Sequence, residues 1–322
     1  MKLFLFRMTL FCLIIIGSFA IGEILVRQID NPYSVKMKLI KEQGATTETI
    51  LLGNSHTFYG LRADLWPNKA INLSNVSQPL AYDRRIIEKY IDSLPNLKNI
   101  VMQVSLTSLF DNDMENTDEW WRCTSYQLYM DLGVHPKFSR YSFEISYLPL
   151  YSNKIQSLLH LTKPQLVADS LGNGLGYDAP LPDTELEESG RKIANGHKNS
   201  SDMARTSQNL AHLVHISKLC KDRGINLILY TQPEYISYRN AADPVFVNKM
   251  KDVISKFANQ YNASYFFLYD DPRFKREDFY DADHLNHYKG AVKLTTILSD
   301  TISQTLSDTL SETLNRPLGR NI

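Results

Sequence analysis

The chain has 322 residues, 43% hydrophobic and 22% charged, which allows a sizeable core and argues against wholesale disorder. Lysine plus arginine and aspartate plus glutamate stand at 35 each, so the formal charge is zero. Phosphate binding normally leaves a basic excess, so nucleic acid is not an expected partner. Of the three cysteines, Cys12 lies in an N-terminal apolar run, which leaves Cys123 and Cys220 as a disulfide pair or as buried thiols. His212 and His215 share a helical face, but no further ligand follows at zinc spacing, and no metal site is expected.

Lys2 and Arg7 precede an apolar run from Met8 to Gly22 that stops at Glu23. Counted from Leu3, the run is just long enough to span a bilayer if Arg7 snorkels. The basic residues ahead of it put the N-terminus in the cytoplasm and the rest outside. Ser18-Phe19-Ala20 also fits a small-x-small cleavage site, so residues 1–22 read as a signal anchor or a signal peptide. The protein is therefore expected to be membrane-anchored and extracytoplasmic, in the cell envelope or periplasm, or secreted if the signal is cleaved. Residues 23–47 read as a connector broken by Gly44.

Five short apolar runs follow: Glu48–Leu52, Ala70–Leu73, Asn99–Val104, Ile225–Tyr230 and Ser264–Leu268. Helical patterns separate them, notably Arg84–Ile91, closed by Pro95, and Asn209–Cys220, ended by Gly224. Short buried strands alternating with helices predict a parallel sheet covered on both faces, with its core in 48–109 and 201–300. Residues 110–200 form a long insertion, holding Trp120-Trp121, the tyrosines 126, 129, 141, 147 and 151, and a Gly/Pro/acid-rich stretch from Gly172 to Gly190. So long a connection is expected to serve as a cap, a partner surface or a structural extension of the core. Within 301–322, Leu306, Leu310 and Leu314 continue a spacing of four begun at Leu298 and Ile302, which predicts a docked terminal helix ended by Pro317 and Gly319.

Two segments carry chemistry. Gly53-Asn54-Ser55-His56 directly follows the first strand, where a serine hydroxyl would be exposed at the sheet's carboxyl edge beside the first amides of a helix. Late in the chain comes Tyr280-Asp281-Ala282-Asp283-His284-Leu285-Asn286, followed by Gly290. A serine needs a neighbouring base to become nucleophilic, and a histidine base needs a carboxylate to hold its tautomer. An Asp-x-x-His turn supplies both from one short segment. Asp283, adjacent in sequence to His284, is expected to point away and cap a helix starting near Leu285.

Gly53-Asn54-Ser55 resembles the Gly-Asp-Ser block of the SGNH (GDSL-like) hydrolases, and Asp281-x-x-His284 resembles their final block. The resemblance implies a three-layer flavodoxin-like α/β fold, with Ser55 as nucleophile, His284 as base and Asp281 as its orienter, and it implies no cofactor. The middle blocks depart from the family. Ser77 stands where the oxyanion glycine would be, in Asn72-Leu73-Ser74-Asn75-Val76-Ser77, and Thr107 stands where the oxyanion asparagine would be, in Ser105-Leu106-Thr107-Ser108. Ser77 through its backbone N–H, Thr107 and Asn75 are the candidate oxyanion donors. Exported relatives act on envelope polymers, which makes the expected activity O-acyl, chiefly O-acetyl, ester hydrolysis or transfer on an extracytoplasmic glycan. Trp120 and Trp121 are candidates for stacking on sugar rings. The competing expectation is a non-catalytic assembly protein of polysaccharide export or modification that keeps the fold.

Overall fold

The computed structural model describes residues 1–133, 143–161, 167–300 and 302. Helix α1 (Lys2–Arg27) stands largely exposed, and an 18-residue window of it has a mean hydropathy of 2.3, long and apolar enough to cross a membrane. Helix α2 (Pro32–Gln43) is capped by Asn31, whose side chain accepts from Tyr33 N and Ser34 N, and Pro32 suits a first turn that needs no donor. Then follow β1 (Thr49–Leu52), α3 (Ser55–Gly60), β2 (Ala70–Asn72), α4 (Leu80–Tyr90), β3 (Asn99–Gln103) and α5 (Leu106–Phe110). The insertion contributes α6 (Trp121–Met130), α7 (Leu148–Leu158) and α8 (Asp183–Ser200), with an antiparallel bridge between Ala168 and Gly174 ahead of α8. The core resumes with α9 (Thr206–Arg223), β4 (Asn226–Thr231), α10 (Ile236–Ala241), α11 (Pro244–Tyr261), β5 (Ser264–Phe267) and α12 over 290–300.

All five strands run parallel, in the order β2-β1-β3-β4-β5, and each begins and ends within a residue or so of its sequence pattern. Alternation along the strands builds two cores. Ile50, Leu52, Ile100, Met102, Leu227 and Leu229 face the helices α2, α4, α6, α9 and α11. Leu51, Val101, Ile228 and Tyr230 face the other side, against Leu294 and Leu298 of α12 and Phe274 and Phe279 of the loop before it. A helix layer on each face makes the three-layer flavodoxin-like α/β fold, and it explains why these strands read as continuous apolar runs. Each fully buried aliphatic side chain contributes about 1.5–3 kcal/mol relative to exposure.

Cys123 and Cys220 are separate, free and buried, and burial pushes both thiols up to about 12. Tyr141 and the terminal Leu306, Leu310, Leu314, Pro317 and Gly319 lie outside the described residues, while Leu298 and Ile302 are buried against the second core.

Candidate active site

Between β1 and β3 the sheet order reverses: the chain leaves β1 towards one edge and returns past it to continue on the other. Such a switch point opens a crevice at the strands' carboxyl ends, and Ser55 lies there. Gly53, just past β1, has φ 122°, and a Cβ on it would meet Thr57 Oγ1 at 2.8 Å and Gln103 Cβ at 3.0 Å. Glycine therefore lets β1 turn sharply beside β3. The turn is held from beneath by buried Asp83, which accepts from Gly53 N (3.0 Å) and Gln78 Nε2 (2.6 Å); burial pushes its carboxyl up to about 7. Asn54 caps α3, its Oδ1 accepting from His56 N at 3.0 Å, which leaves half-buried Ser55 at the first helical position.

The Asp281–His284 turn comes to the same place from the other end of the chain. His284 Nε2 lies 2.9 Å from Ser55 Oγ, and its Nδ1 lies 3.1 and 3.2 Å from the two oxygens of Asp281. Asp281 Oδ1 also accepts from the amides of Asp283 (2.9 Å) and His284 (2.7 Å), so the carboxylate shapes the turn that carries the imidazole. Burial draws the imidazole's pKa down, but the Asp281 and Asp283 carboxylates outweigh it and the net shift is upward. Gly290 pins the turn from behind, because any Cβ there would collide with Asp278 O at 1.9 Å. Tyr59, Tyr177 and Tyr280 stack in series, with ring centroids 3.9 and 4.0 Å apart, and His284 meets Tyr177 edge-on. Tyr177 belongs to the insertion, so the insertion helps to wall the site.

Asp283 does not cap a helix. Asn286 does so, accepting from Lys289 N (2.9 Å) and Gly290 N (3.3 Å) ahead of α12, which starts later than Leu285. Asp283 instead turns inward, where Oδ2 accepts from His56 Nε2 at 2.9 Å and lies 3.7 Å from His284 Nδ1. The other His56 nitrogen accepts from Gln103 Nε2 at 3.1 Å, which assigns the ring proton to Nε2. Burial dominates at His56 and lowers its pKa, favouring the neutral ring. At Asp283, burial is outweighed by the nearby histidines and the His56 hydrogen bond, and the carboxyl stays well below the usual range.

Beside Asp283 lies Glu234, also buried, and Asp283 Oδ1 and Glu234 Oε2 both lack a hydrogen-bond partner. Burial, then the Asp283 charge, pushes the Glu234 carboxyl well above the usual range. Sequence reading missed His56, Gln103 and Glu234. Only His56 carried a local signal, its place directly after Ser55.

The candidate oxyanion donors are distributed unevenly. Ser77 and Thr107 line the cleft with Ser55, whereas Asn75 is buried behind it with its Nδ2 unpartnered. Ser77 has φ 56°, a left-handed conformation in which glycine is ordinarily favoured, and its N–H has no acceptor among the described residues. Thr107 Oγ1 accepts from Asn54 Nδ2 at 3.2 Å and lies 2.8 Å from Ser105 Oγ. The cleft holds about 370 Å³, and the insertion walls it with Asp111, Asn112, Met114, Asp118 and Glu119. Trp121 stacks on Tyr147 with ring centroids 4.9 Å apart and has the Arg122 guanidinium 4.4 Å from its ring.

His56, Asp283 and His284 bring possible ligand atoms within 4.8 Å of one another. Each is already committed to a hydrogen bond inside the protein, and a cation would have to displace those bonds.

Fold and site together define a three-layer α/β protein with a Ser–His–Asp arrangement at its switch point. No family model and no curated protein matches the chain. One solved structure, a protein from Streptococcus pneumonia named provisionally as a platelet activating factor, overlays with a TM-score of 0.40 at 10% identity, covering 86% of this chain and 95% of that one. So loose a likeness carries no argument about this chain.

Proposed function

We propose that the protein is an SGNH-type O-acyl esterase or acyltransferase, with Ser55 as nucleophile, acting on an acylated extracytoplasmic glycan or envelope polymer. The observation that carries this reading is the line Ser55 Oγ–His284 Nε2–Nδ1–Asp281, with contacts of 2.9 and 3.1 Å. His284 takes the hydroxyl proton as Ser55 Oγ bonds to the ester carbon, and Asp281 stabilises the imidazolium. The carbonyl oxygen becomes an oxyanion, for which the N–H of Ser77 and the first amide of α3 are candidate backbone donors among the residues lining the cleft. As the tetrahedral intermediate collapses, the imidazolium protonates the departing alkoxide and an acyl-serine forms. Water, or a sugar hydroxyl, then attacks the acyl carbon with His284 again as base, giving hydrolysis or transfer.

Labelling with a serine-reactive fluorophosphonate tests the reading. The wild-type chain should label and hydrolyse a small acetyl ester, and Ser55→Ala should do neither at matched thermal stability. Equal turnover in the two proteins would remove Ser55 as nucleophile. A second reading, a non-catalytic assembly protein, draws on Thr107, whose hydroxyl is already tied to Asn54 and Ser105. A wild-type chain that neither labels nor turns over ester would leave that reading in place.

A further inference from the structure

Helix α7 is amphipathic in the inverted sense. Its lysine, Lys154, is buried and ion-paired at 2.7 Å with the buried Glu144, which also accepts from Tyr129. Its leucines face outward instead: Leu148 is 64% exposed and, just past its end, Leu159 is 62% exposed. These two are eleven residues apart, which is almost three whole turns, so they share one face with half-buried Ile155 between them. Phe143 and Leu161 extend the apolar surface at either end, 51% and 71% exposed. Outside α1 and this segment, the exposed large apolar side chains among the described residues stand far apart in sequence: Leu65, Met203, Ile236, Val245 and Tyr288. Scattered residues of that kind are ordinary, whereas a clustered patch calls for something that covers it.

The position of α7 says what covers it. Glu23 is the first charged residue after the apolar run of α1, and its Oε1 accepts from Glu144 N at 2.8 Å. One residue earlier, a Cβ on Gly22 would meet the Tyr151 hydroxyl of α7 at 2.6 Å. The start of α7 is therefore fastened to α1 at the level where the hydrocarbon-compatible run ends, and tyrosine is a residue favoured at that depth of a bilayer. The run from Leu3 to Gly22 has a helical length of roughly 30 Å, matching a bilayer's hydrocarbon core.

We propose that Phe143, Leu148, Leu159 and Leu161 form a foot that rests in the interfacial layer of the bilayer crossed by α1. The proposal rests on the reading of α1 as a membrane span and is independent of the chemistry assigned to Ser55. Burying the exposed leucine faces in lipid gains what leaving them in water forfeits, while Lys154 stays ion-paired with Glu144 inside the protein. The foot also bears on substrate. Asp118 and Glu119 line the cleft at Ser55, and the next residues, Trp120 and Trp121, pack against Tyr147 at the base of α7. The segment that walls the cleft thus packs against the one that touches lipid, which suits a substrate presented at the membrane surface.

The test uses the full chain in vesicles of phosphatidylethanolamine and phosphatidylglycerol, with Cys12→Ser and an environment-sensitive fluorophore on one introduced cysteine at a time. The labelled variants are Leu148→Cys and Leu159→Cys for the foot, Ile15→Cys for the span, and Lys249→Cys for exposed α11. Labels at 148 and 159 should emit to the blue of the label at 249 and be quenched at least twofold more by lipids spin-labelled high on the acyl chain. A water-like signal at 148 and 159 with a lipid-like signal at 15 would overturn the foot and leave the span standing. A water-like signal at 15 as well would overturn both.

Discussion

The two aspartates flanking Ala282 give the sharpest test of how the site works, because the structure commits them to different partners. In Asp281→Asn, the amide oxygen can still accept from the backbone of residues 283 and 284, so the turn should persist. What changes is the other oxygen, Oδ2, 3.2 Å from His284 Nδ1. An amide nitrogen there is a donor, and it favours the tautomer whose proton sits on Nε2, facing Ser55, where the ring cannot act as a base. Such a reversal costs roughly ten-thousandfold in turnover. In Asp283→Asn the loss is structural. The native Oδ2 accepts from His56 Nε2 as a charged group, and asparagine either replaces that bond with a weaker neutral one or turns its amide nitrogen to the ring. Losing a hydrogen bond to a charged group costs about 1.5–3 kcal/mol, or a fall in Tm of about 2–4 °C for a chain of this length. The assay is kcat/KM on a small acetyl ester beside a thermal melt. Asp281→Asn should be nearly inactive with Tm close to that of wild type, while Asp283→Asn should be less stable yet retain most activity per folded molecule. The reverse pattern would show that Asp283 orients His284 and would refute the reasoning.

Because the base must be neutral and the His284 pKa is raised by its carboxylates, kcat/KM should fall on the acid side with a midpoint above the ordinary histidine value of about 6.5; a midpoint below 6 in the pH profile would contradict this. Asp83 titrates near 7 when folded and near 3.9 when unfolded, so the folded state holds its proton more tightly. Its stabilisation is in full force below about pH 4 and is lost as pH rises through 7, by up to about 4 kcal/mol. Asp83→Asn should therefore flatten the decline in chemical-denaturation stability across that window, and an unchanged slope would clear Asp83 of the effect. Gly53→Ala should cost about 1–3 kcal/mol from backbone strain, with contacts at 2.8 and 3.0 Å adding to it and Ser55 displaced with the turn; a variant with wild-type Tm and activity would show that the turn tolerates a Cβ.

The sheet was legible because a strand buried on both faces must be apolar throughout, and five such runs have few alternative uses. Ser55, Asp281 and His284 were legible for a different reason: a strand-end serine and a short Asp-x-x-His turn are local patterns, each contained within a few residues. What sequence could not reveal depends on which side chains meet across the fold. Asp283 looks like a solvated cap when read beside His284, but its nearest partner is 227 positions away at His56. Glu234 has no local mark at all, since a glutamate after a strand is ordinarily solvent-exposed. The start of α12 was misplaced because Asn286, not Asp283, satisfies its first amides.

Overall neutrality also conceals a local imbalance that bears on the proposed substrate. The charged side chains lining the cleft are Asp111, Asp118, Glu119 and Asp283, with histidines 56 and 197 and neither lysine nor arginine among them. Glu119 is offset by Arg122 at 3.1 Å, and Asp111, raised by burial, accepts from Ser200 Oγ at 2.8 Å. Asp118 is exposed on the rim. An anionic group brought within about 4 Å of one such carboxylate is opposed by roughly 1 kcal/mol in water and by several times that as the cleft closes around it. Binding a phosphate-bearing stretch of polymer directly over Ser55 would therefore work against the cleft's own field. Sugar hydroxyls meet no such opposition, because a carboxylate accepts from them. Within the proposed chemistry, the field favours a neutral glycan unit and an uncharged acyl group such as acetyl at the reacting centre.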